Sequence, residues 1–468
     1  MEIHDPSDLS PLYFAENNSS KDGNVSVNYV SPSISIGIED VAHGRGLIAT
    51  KDIEEGELLF VTSPTISVDH NTAKQILTEQ NVPVSKLEEA IIDLLIENMY
   101  KCLQEDVNAI LNSFLALMGS KSDVEKEIYS METLLGQNDD CLFSRNEVEG
   151  ISKSHLKNII LKNAFGPDFL NYEKIAKHWD EREEESDQCQ FVPNLLGIFP
   201  LAAMLNHSCS GNAVRTFSNG IMIVHASKTI TANEEILWSY IPSTKEFMGR
   251  RRTLKKLHKF VCMCNKCSIE SKQLKRDILP LTLRNSIDES SAWNTRLLDV
   301  ENCDEDTKRM LCTTFLSMEE TVFASASLST DVKHMLRTDF TNFHFNFFNC
   351  MLSSLGQCSH PVQIRNVQDM ILKVATHLHF SFVFSNNAST EHLSLLHLCY
   401  DLANSIHRNN EDKSNSITKV RFWTEQMKRT HQIRYGKMGD DVEKIRRLLV
   451  HTKSVLRQRD GMAAFNFL

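Results

Sequence analysis

Asn206-His207-Ser208-Cys209-Ser210-Gly211-Asn212 follows directly on an apolar run that extends from Phe191 to Leu205. The run is shorter than the ~20 residues that a membrane-spanning helix needs, and Pro193, Asn194 and Pro200 interrupt it. We interpret it as buried core and predict no membrane segment. The heptapeptide therefore sets polar side chains and one thiol at the end of a buried segment. We expect the rest of the chain to be organised around it.

Length and charge limit the kind of protein and the kind of partner. The 468 residues exceed a single typical core, which indicates two or three domains. Lys and Arg number 50 against 61 Asp and Glu, so the net charge is −11. A negative field repels nucleic-acid phosphates and favours a basic partner. We therefore predict a protein substrate, in the form of a basic lysine-containing segment, and no direct binding of nucleic acid.

The N-terminus and the cysteine content indicate the compartment. Met1–Asp5 carries acids where a secretory signal needs a basic region followed by an apolar one. Twelve cysteines in a chain without that signal favour reduced thiols, and a metal site, over a disulfide framework. We expect the protein in the cytoplasm, the nucleus or both.

Two short segments of one pattern predict an interrupted β domain. Lys51–Phe60 and Lys228–Leu237 share their Lys, Ile, Glu and closing apolar residues at the same offsets. Gly56 and Asn233 occupy equivalent places, and both residue types tolerate positive φ. The repeat predicts one sheet domain with an insertion between its halves. A chance match over ten residues is the alternative.

Further strand and turn signals flank these segments. Ile34, Ile36 and Ile38 alternate as in a half-buried strand. Asn219-Gly220 lies between two alternating runs, which is the strongest short signal for a β-hairpin. Ser243-Thr244-Lys245-Glu246 has the spacing of a capping box and predicts a helix that continues to about Lys259.

Helical periodicity dominates the insertion and the C-terminal half. In the insertion it predicts helices over Leu87–Met99, Val107–Met118 and Ser154–Trp179. The acidic stretch Glu181–Asp187 is expected to be a solvated loop. Beyond Pro280, paired helices are typical of a helical-repeat lobe. The helices predicted there are Lys308–Ala326, Asp339–Leu352, Gln363–Phe384, Thr390–Ile406, Asn415–Tyr435 and Asp440–Leu456.

Cys262-Met263-Cys264-Asn265-Lys266-Cys267 places three thiols within six residues, a spacing suited to a tetrahedral ion. Zinc needs a fourth ligand, and Cys209 would connect the opening heptapeptide to this cluster. His258 and His207 are weaker candidates because four thiolates already complete the shell. Inert thiols in a small apolar core are the alternative.

Other candidate residues are ordinary when each is taken alone. Gly44-Arg45-Gly46 is a common turn pattern, and Tyr240 is a typical half-buried aromatic at a strand end. The basic stretch Arg250–Lys256 is by default a solvated helix face. Their order is more informative, because Gly-x-Gly, Asn-His-Ser-Cys-x-x-Asn, Glu-Glu-Ile-x-x-Ser-Tyr and Phe-x-Cys-x-Cys-x-x-Cys follow one another.

These four ordered motifs resemble those of the SET-domain protein methyltransferases, and the helical insertion and C-terminal lobe look most like the SMYD family. The motif resemblance covers about residues 34–69 and 191–268. It implies Tyr240 as the active-site tyrosine. It implies that S-adenosylmethionine is bound by Gly44, Arg45, Gly46, Asn206, His207, Tyr240 and Phe260, with Phe260 against the adenine. It also implies Cys209, Cys262, Cys264 and Cys267 as ligands of a structural Zn²⁺.

The chain departs from the SMYD pattern in several places. Residues 70–190 contain only Cys102, Cys141 and Cys189, so the zinc-binding MYND module is expected to be absent. His258 stands where the family has a second tyrosine, which helps to build the lysine channel. Gly211 and Asn233 replace a family proline and glycine at turns.

We therefore expect an α+β protein: a SET-type fold of small sheets interrupted by a helical insertion, with an all-α, TPR-like C-terminal lobe. The expected parts are a flexible tail (1–33), the first part of the SET domain (34–69), the insertion (70–190), the second part (191–242), a post-SET zinc segment (243–268) and the helical lobe (269–468).

The resemblance implies S-adenosylmethionine-dependent lysine methylation of histone or non-histone proteins, by a monomer. The alternative, which His258 and the missing MYND module favour, is a catalytically weak SET-fold adaptor that binds partner proteins through its helical lobe.

Overall fold

The computed structural model describes the β-rich part of the chain and most helices of the C-terminal half. The described residues are 28–37, 45–69, 75–76, 78–79, 87–104, 117, 131–134, 153–165, 195–218, 221–241, 245–275, 307, 310, 313–314, 316–317, 319–320, 323–324, 329–356, 358–385, 387–409 and 413–436. The chain divides into two units. The first is Met1–Asn206, Arg215–Leu237 and Arg434–Lys437, and the second is His207–Val214, Trp238–Ile433 and Met438–Leu468.

Short strands form three small sheets. They are β1 (Tyr29–Val30), β2 (Ile34–Gly37), β3 (Gly46–Ala49), β4 (Leu58–Thr62), β5 (Ile66–Asp69), β6 (Ala164–Phe165), β7 (Leu195–Ile198), β8 (Asn206–His207), β9 (Ala213–Ser218), β10 (Ile221–Ala226) and β11 (Glu235–Trp238). The sheet orders are β1-β4-β10-β9, β2-β3-β11-β8 and β5-β7-β6. Strand β4 pairs antiparallel with β1 and β10, β3 with β2 and β11, and β7 with β5 and β6.

The strand predictions from periodicity are confirmed where the structure describes them. Strand β2 begins at Ile34, and β9 and β10 are neighbours in one sheet on either side of Asn219-Gly220. Both β4 and β10 are buried along their whole length, which explains their near-continuous apolar sequences. The apolar run after Phe191 provides β7 and the short helix α4 (Pro200–Ala203), and it forms buried core as predicted.

The two repeated segments are structurally equivalent. Ile53 and Ile230 occupy matching places in the repeats and exchange both backbone hydrogen bonds, at 2.8 and 2.9 Å. Gly56 has a φ of 82° and Asn233 a φ of 68°, so both turns use the left-handed region. The prediction of two β units of one kind is confirmed.

Each repeated turn is closed by the glutamate that the two segments share. Glu54 N donates to Glu57 Oε2 at 3.1 Å, and Thr231 N donates to Glu234 Oε2 at 3.0 Å. The side chain therefore caps a backbone N–H three residues earlier in both repeats. The glutamate recurs in both segments because its carboxylate accepts a hydrogen bond from a backbone N–H of the turn.

The insertion supplies three described helices, α1 (Leu87–Gln104), α2 (Met131–Leu134) and α3 (Lys153–Asn163). Helix α1 buries the predicted apolar stripe, including Ile91, Leu95 and Met99. Most of the helix predicted over Val107–Met118 lies outside the described residues. The single helix predicted over Ser154–Trp179 is wrong at Ala164 and Phe165, because these residues form β6 and pair with β7, and residues 166–179 lie outside the described residues. Pro167 also disfavours helix at the residue before it.

Helix α5 (Phe247–Leu257) precedes Cys262 and Cys264, and helix α6 (Asn265–Lys275) contains Cys267. The capping-box prediction is wrong in position. Glu246 is the N-cap of α5, no side chain caps the helix, and Lys245 precedes it outside helical structure. Ser243 and Thr244 lie outside the described residues.

The second unit contains the C-terminal helices. They are α7 (Thr330–Arg337), a 3₁₀ turn (Thr338–Phe340), α8 (Thr341–Leu355), α9 (Pro361–Val383), α10 (Thr390–Asn409) and α11 (Lys413–Tyr435). Their apolar faces share one core, and the described residues between 307 and 324 are helical. Four predicted helices are confirmed within a few residues, whereas Asp440–Leu456 lies outside the described residues. None of the described helices is long and apolar enough to cross a bilayer.

The equivalent turns can be tested by exchange of their left-handed residues. Gly56→Ala places a Cβ in the left-handed region and should lower the free energy of unfolding by about 1–2 kcal/mol. Asn233→Gly keeps that region accessible and should change it much less. Urea unfolding followed by tryptophan fluorescence measures both. Lys51→Ala, at an exposed site of ordinary backbone, is the control, and a Gly56→Ala protein as stable as the control would contradict the equivalence.

Candidate functional site

The four predicted zinc ligands lie together in the second unit. The sulfurs of Cys209, Cys262, Cys264 and Cys267 are all within 4.8 Å of one another. Cys209 Sγ lies 4.0 Å from Cys262 Sγ and 3.5 Å from Cys267 Sγ. Tetrahedral zinc with Zn–S bonds of ~2.3 Å separates its sulfurs by about 3.8 Å. The donor set and its spacing therefore fit one zinc ion.

Hydrogen bonding among these thiols separates their pKa values. Bonds from neighbouring thiols, that of Cys209 first, hold the pKa of Cys262 far below its usual range. The same contact raises the pKa of the Cys209 thiol. The lowered pKa of Cys262 favours its thiolate, which is the form that binds zinc.

Buried polar contacts hold the cysteine segment in place. The Arg250 guanidinium on α5 pairs with the Glu270 carboxylate on α6, and both side chains are fully buried. Glu270 Oε1 also accepts a hydrogen bond from Thr338 Oγ1 at 3.3 Å. Lys266, between two of the cysteines, is buried and donates to Ser385 Oγ. Removal of one member of such a buried pair costs about 3–5 kcal/mol.

His207 connects the cysteine cluster to the segment of Tyr240. Its Nδ1 accepts a hydrogen bond from the backbone N–H of Tyr240 at 2.9 Å, so Nδ1 carries no proton. Its Nε2 lies 3.3 Å from Cys209 Sγ and is left to donate to it. His207 is only 4% exposed. The His207 side chain therefore links Cys209, a predicted zinc ligand, to the backbone of Tyr240, the predicted active-site tyrosine.

The rings of four residues of the second unit lie close together, namely His207, Tyr240, His258 and Phe260. The Tyr240 ring centroid lies 5.2 Å from that of His207, 5.0 Å from that of His258 and 6.5 Å from that of Phe260. His207 and Phe260 are 5.8 Å apart. Tyr240 and Phe260 are half-buried against the apolar core that contains Cys209 and Cys262. The structure brings Tyr240, His207 and Phe260 together, and His258 joins them.

The end of α5 explains how His258 and Phe260 enter this group. His258 is the C-cap of the helix, and its backbone N–H donates to Leu254 O at 2.9 Å. The next residue, Lys259, has a φ of 63°. A left-handed residue directly after the C-cap ends a helix and reverses the chain. The chain then continues through Phe260 to Cys262.

The predicted cofactor residues of the first unit form a separate hydrogen-bonded group. Asn206 Nδ2 donates to Arg45 O at 2.6 Å and to Glu235 Oε1 at 2.7 Å. Arg45 Nη2 donates to Leu117 O at 3.1 Å. Gly46 begins β3 and is buried. The Asn206 amide therefore fixes the backbone of the glycine segment, of which Gly44 lies outside the described residues.

Two supporting residues, Glu235 and Arg250, have no role in the sequence-based prediction. Glu235 accepts a hydrogen bond from Asn206, and its only sequence signal was its place in the Glu-Glu-Ile-x-x-Ser-Tyr motif. Arg250 was assigned to a solvated basic face, but it is fully buried and paired with Glu270. Its place on the same helix face as Phe247 and Leu254 could have revealed this.

Part of the chain is similar in sequence to known proteins. Residues 44–241 match the profile of the SET domain. Histone-lysine N-methyltransferase ASHR1 of Arabidopsis thaliana is 40% identical over 76 residues, which is 16% of this chain and 16% of that protein. N-lysine methyltransferase SMYD2-B of Danio rerio is 35% identical over 94 residues, 20% of this chain and 21% of that protein. The chain thus matches only about a fifth of the length of these relatives.

A solved structure, the SET domain of LSMT bound to lysine and AdoHcy, aligns over 92% of this chain and 90% of its own at 12% identity. Its TM-score of 0.26 is too low for a shared fold to rest on it. Residues 44–241 are thus similar in sequence to the SET domain, and the structure adds the α+β architecture of small sheets and a helical C-terminal region.

The zinc site is tested by metal analysis of the purified protein. We expect about one zinc per chain, and Cys264→Ser should lose it because three thiolates leave the tetrahedral shell incomplete. Cys358→Ser, which changes a half-buried cysteine outside the cluster, should retain the metal. A well-folded protein that contains no zinc would contradict the assignment.

The role of His207 is tested by His207→Phe, which keeps a ring and removes both hydrogen bonds. Loss of a hydrogen bond to a metal ligand should weaken zinc binding by about 10–100-fold. Competition with a chromophoric chelator measures the affinity. His360→Phe, at an exposed site, is the matched control. Equal zinc affinity in the two variants would show that the Cys209 contact is incidental.

Proposed function

We propose that this chain, whose residues 44–241 match the SET domain, is an S-adenosylmethionine-dependent protein-lysine N-methyltransferase. The observation that carries the proposal is the SET-domain match, which contains the glycine segment, Asn206, His207 and Tyr240. The relatives are matched over only about a fifth of their length. The activity of the whole protein is therefore a proposal, and the experiment described below tests it.

In this proposal, the residues that bind the methyl donor are Gly44, Arg45, Gly46, Asn206, His207, Tyr240 and Phe260. The Asn206 amide supports the proposal because it holds the Arg45 carbonyl and Glu235 in fixed positions. Phe260 presents a half-buried ring suited to packing on an adenine. When bound, S-adenosylmethionine supplies a sulfonium methyl group for in-line transfer to a neutral amine.

Tyr240 is proposed to orient the substrate lysine. Its backbone is held by His207, and its ring packs beside His207, His258 and Phe260. A hydroxyl in this position can hydrogen-bond the lysine amine and align it for attack. The surrounding rings would exclude water from the amine, which favours its neutral form. The Cys209, Cys262, Cys264 and Cys267 site has a structural role in this account.

The proposed substrate is a basic lysine-containing segment of a histone or non-histone protein, and the proposed compartment is the cytoplasm, the nucleus or both. The net charge of −11 favours a basic substrate. The second candidate function is a SET-fold adaptor. His258 beside Tyr240 is the observation that favours it, because the family tyrosine that helps to build the lysine channel is absent there.

Calorimetry with S-adenosylmethionine, followed by transfer of labelled methyl into histones and a cell lysate, tests the proposal. We expect binding, and transfer that Tyr240→Phe lowers by about 100-fold, as when a positioned hydrogen-bonding group is removed. Donor binding should persist in that variant. Tyr400→Phe, a half-buried tyrosine of the helical core, should leave transfer unchanged.

Donor binding without any transfer would favour the adaptor. Transfer that is unaffected by Tyr240→Phe would contradict the role of Tyr240. Absence of donor binding, in protein that retains its zinc, would contradict the methyltransferase proposal.

A further inference from the structure

The solvent-facing side of α5 and the segment that follows it carry a cluster of positively charged side chains. Its cations are Arg251, Arg252, Lys255, Lys256 and Lys259. Four of them are exposed and Arg251 is half-buried. We call this the basic face, and it takes no part in the groups described above.

The helix geometry separates the basic face from the core. Phe247, Arg250 and Leu254 are buried and recur at helical spacing. Arg252, Lys255 and Lys256 fall on a different side of the same helix, where they meet solvent. The basic face is therefore a feature of folded α5, and its charges are held in a fixed relation to one another.

Large apolar side chains are exposed in the same stretch of the chain as these cations. Met248 is 57% exposed, Leu257 48%, Val261 39% and Met263 78%. In the part of the chain that the structure describes, only Met310 and Val362 are exposed large hydrophobics elsewhere. Isolated exposed apolar residues need no explanation, but such a concentration within residues 248–263 marks a candidate interaction surface.

The local charge is opposite to that of the protein as a whole. Residues 245–263 carry seven Lys or Arg and one acid, Glu246, although the chain has a net charge of −11. Arg252 pairs with Glu246 at 3.3 Å, but both side chains are exposed, so the pair contributes little. The field here attracts an acidic partner that the remaining surface repels.

We infer that the basic face, with its four apolar neighbours, binds an acidic segment of a partner protein that also carries apolar side chains. Acidic groups complement the cations, and apolar groups cover Met248, Leu257, Val261 and Met263. Methionine suits such a surface because its flexible side chain adapts to different partners.

Other classes of ligand fit less well. A nucleic-acid backbone would pair with the cations, but it would leave the four apolar side chains without a complement. An anionic membrane binds helices whose apolar face is free, and the apolar stripe of α5 is buried against the protein. The inference goes beyond methyl transfer, since this partner is acidic whereas the proposed substrate is basic.

Fluorescence anisotropy of the full chain with a labelled short peptide of alternating Glu and Leu tests the inference. We expect saturable binding that weakens with salt. The double variant K255E/K256E should weaken binding about tenfold or more, because two attractive contacts become repulsive. A second peptide with Ser in place of Leu should bind more weakly than the first.

The control double variant R421E/K428E changes the same charge at exposed positions of α11 and should bind the peptide as the unaltered protein does. Met263→Ser removes no charge and should weaken binding several-fold with the same salt dependence. Zinc content verifies the fold of each variant.

Failure of the Leu peptide to bind, equal binding by K255E/K256E and the control, or equal binding of both peptides would overturn the inference. Tighter binding of duplex DNA or of phosphatidylserine vesicles would also overturn it. None of these results bears on methyl transfer, which is measured separately.

Discussion

The two hydrogen bonds of the His207 ring are the interaction on which the second unit's site depends. One joins Nδ1 to the backbone N–H of Tyr240, and the other joins Nε2 to Cys209 Sγ. A neutral imidazole accepts a hydrogen bond at one ring nitrogen and donates one from the other. The two bonds of His207 therefore fix its tautomer and orientation. Zinc binding at the cysteines would thereby fix the Tyr240 backbone. The buried Arg250–Glu270 pair beneath the cysteine segment adds a second constraint on the same region.

The β part of the chain is built by repetition of one small unit. Equivalent turns at Gly56 and Asn233, each closed by its own glutamate, pair through Ile53 and Ile230. The long helical insertion lies between the two copies in sequence, yet the copies are hydrogen-bonded to each other. Such an arrangement tolerates large insertions because loop closure costs rise slowly with length. Strand β8, which carries Asn206 and His207, is an edge strand of the sheet that also contains β3 and β11.

Local signals predicted most of this fold and several members of the site. The spacing of the cysteines, the two strands on either side of Asn219-Gly220 and the paired turns follow from short-range patterns with direct physical causes, and the structure confirms them. The end of α3 and the start of α5 were predicted wrongly, because β6 pairing with β7 and the packing of Phe247 are tertiary effects. The buried state of Arg250 likewise depends on Glu270, a partner on the next helix. The two bonds of His207 could not be foreseen, since both partners are defined only by the folded backbone.

We propose that the cysteine cluster and Tyr240 act as one functional element in the proposed methyl transfer. A graded chelator titration of the full protein tests it most directly, with zinc content and labelled methyl transfer measured on the same samples. The account predicts that transfer falls in proportion to zinc, because the metal-bound Cys209 positions Tyr240 through His207. Full transfer by folded protein from which the zinc has been removed would contradict the account.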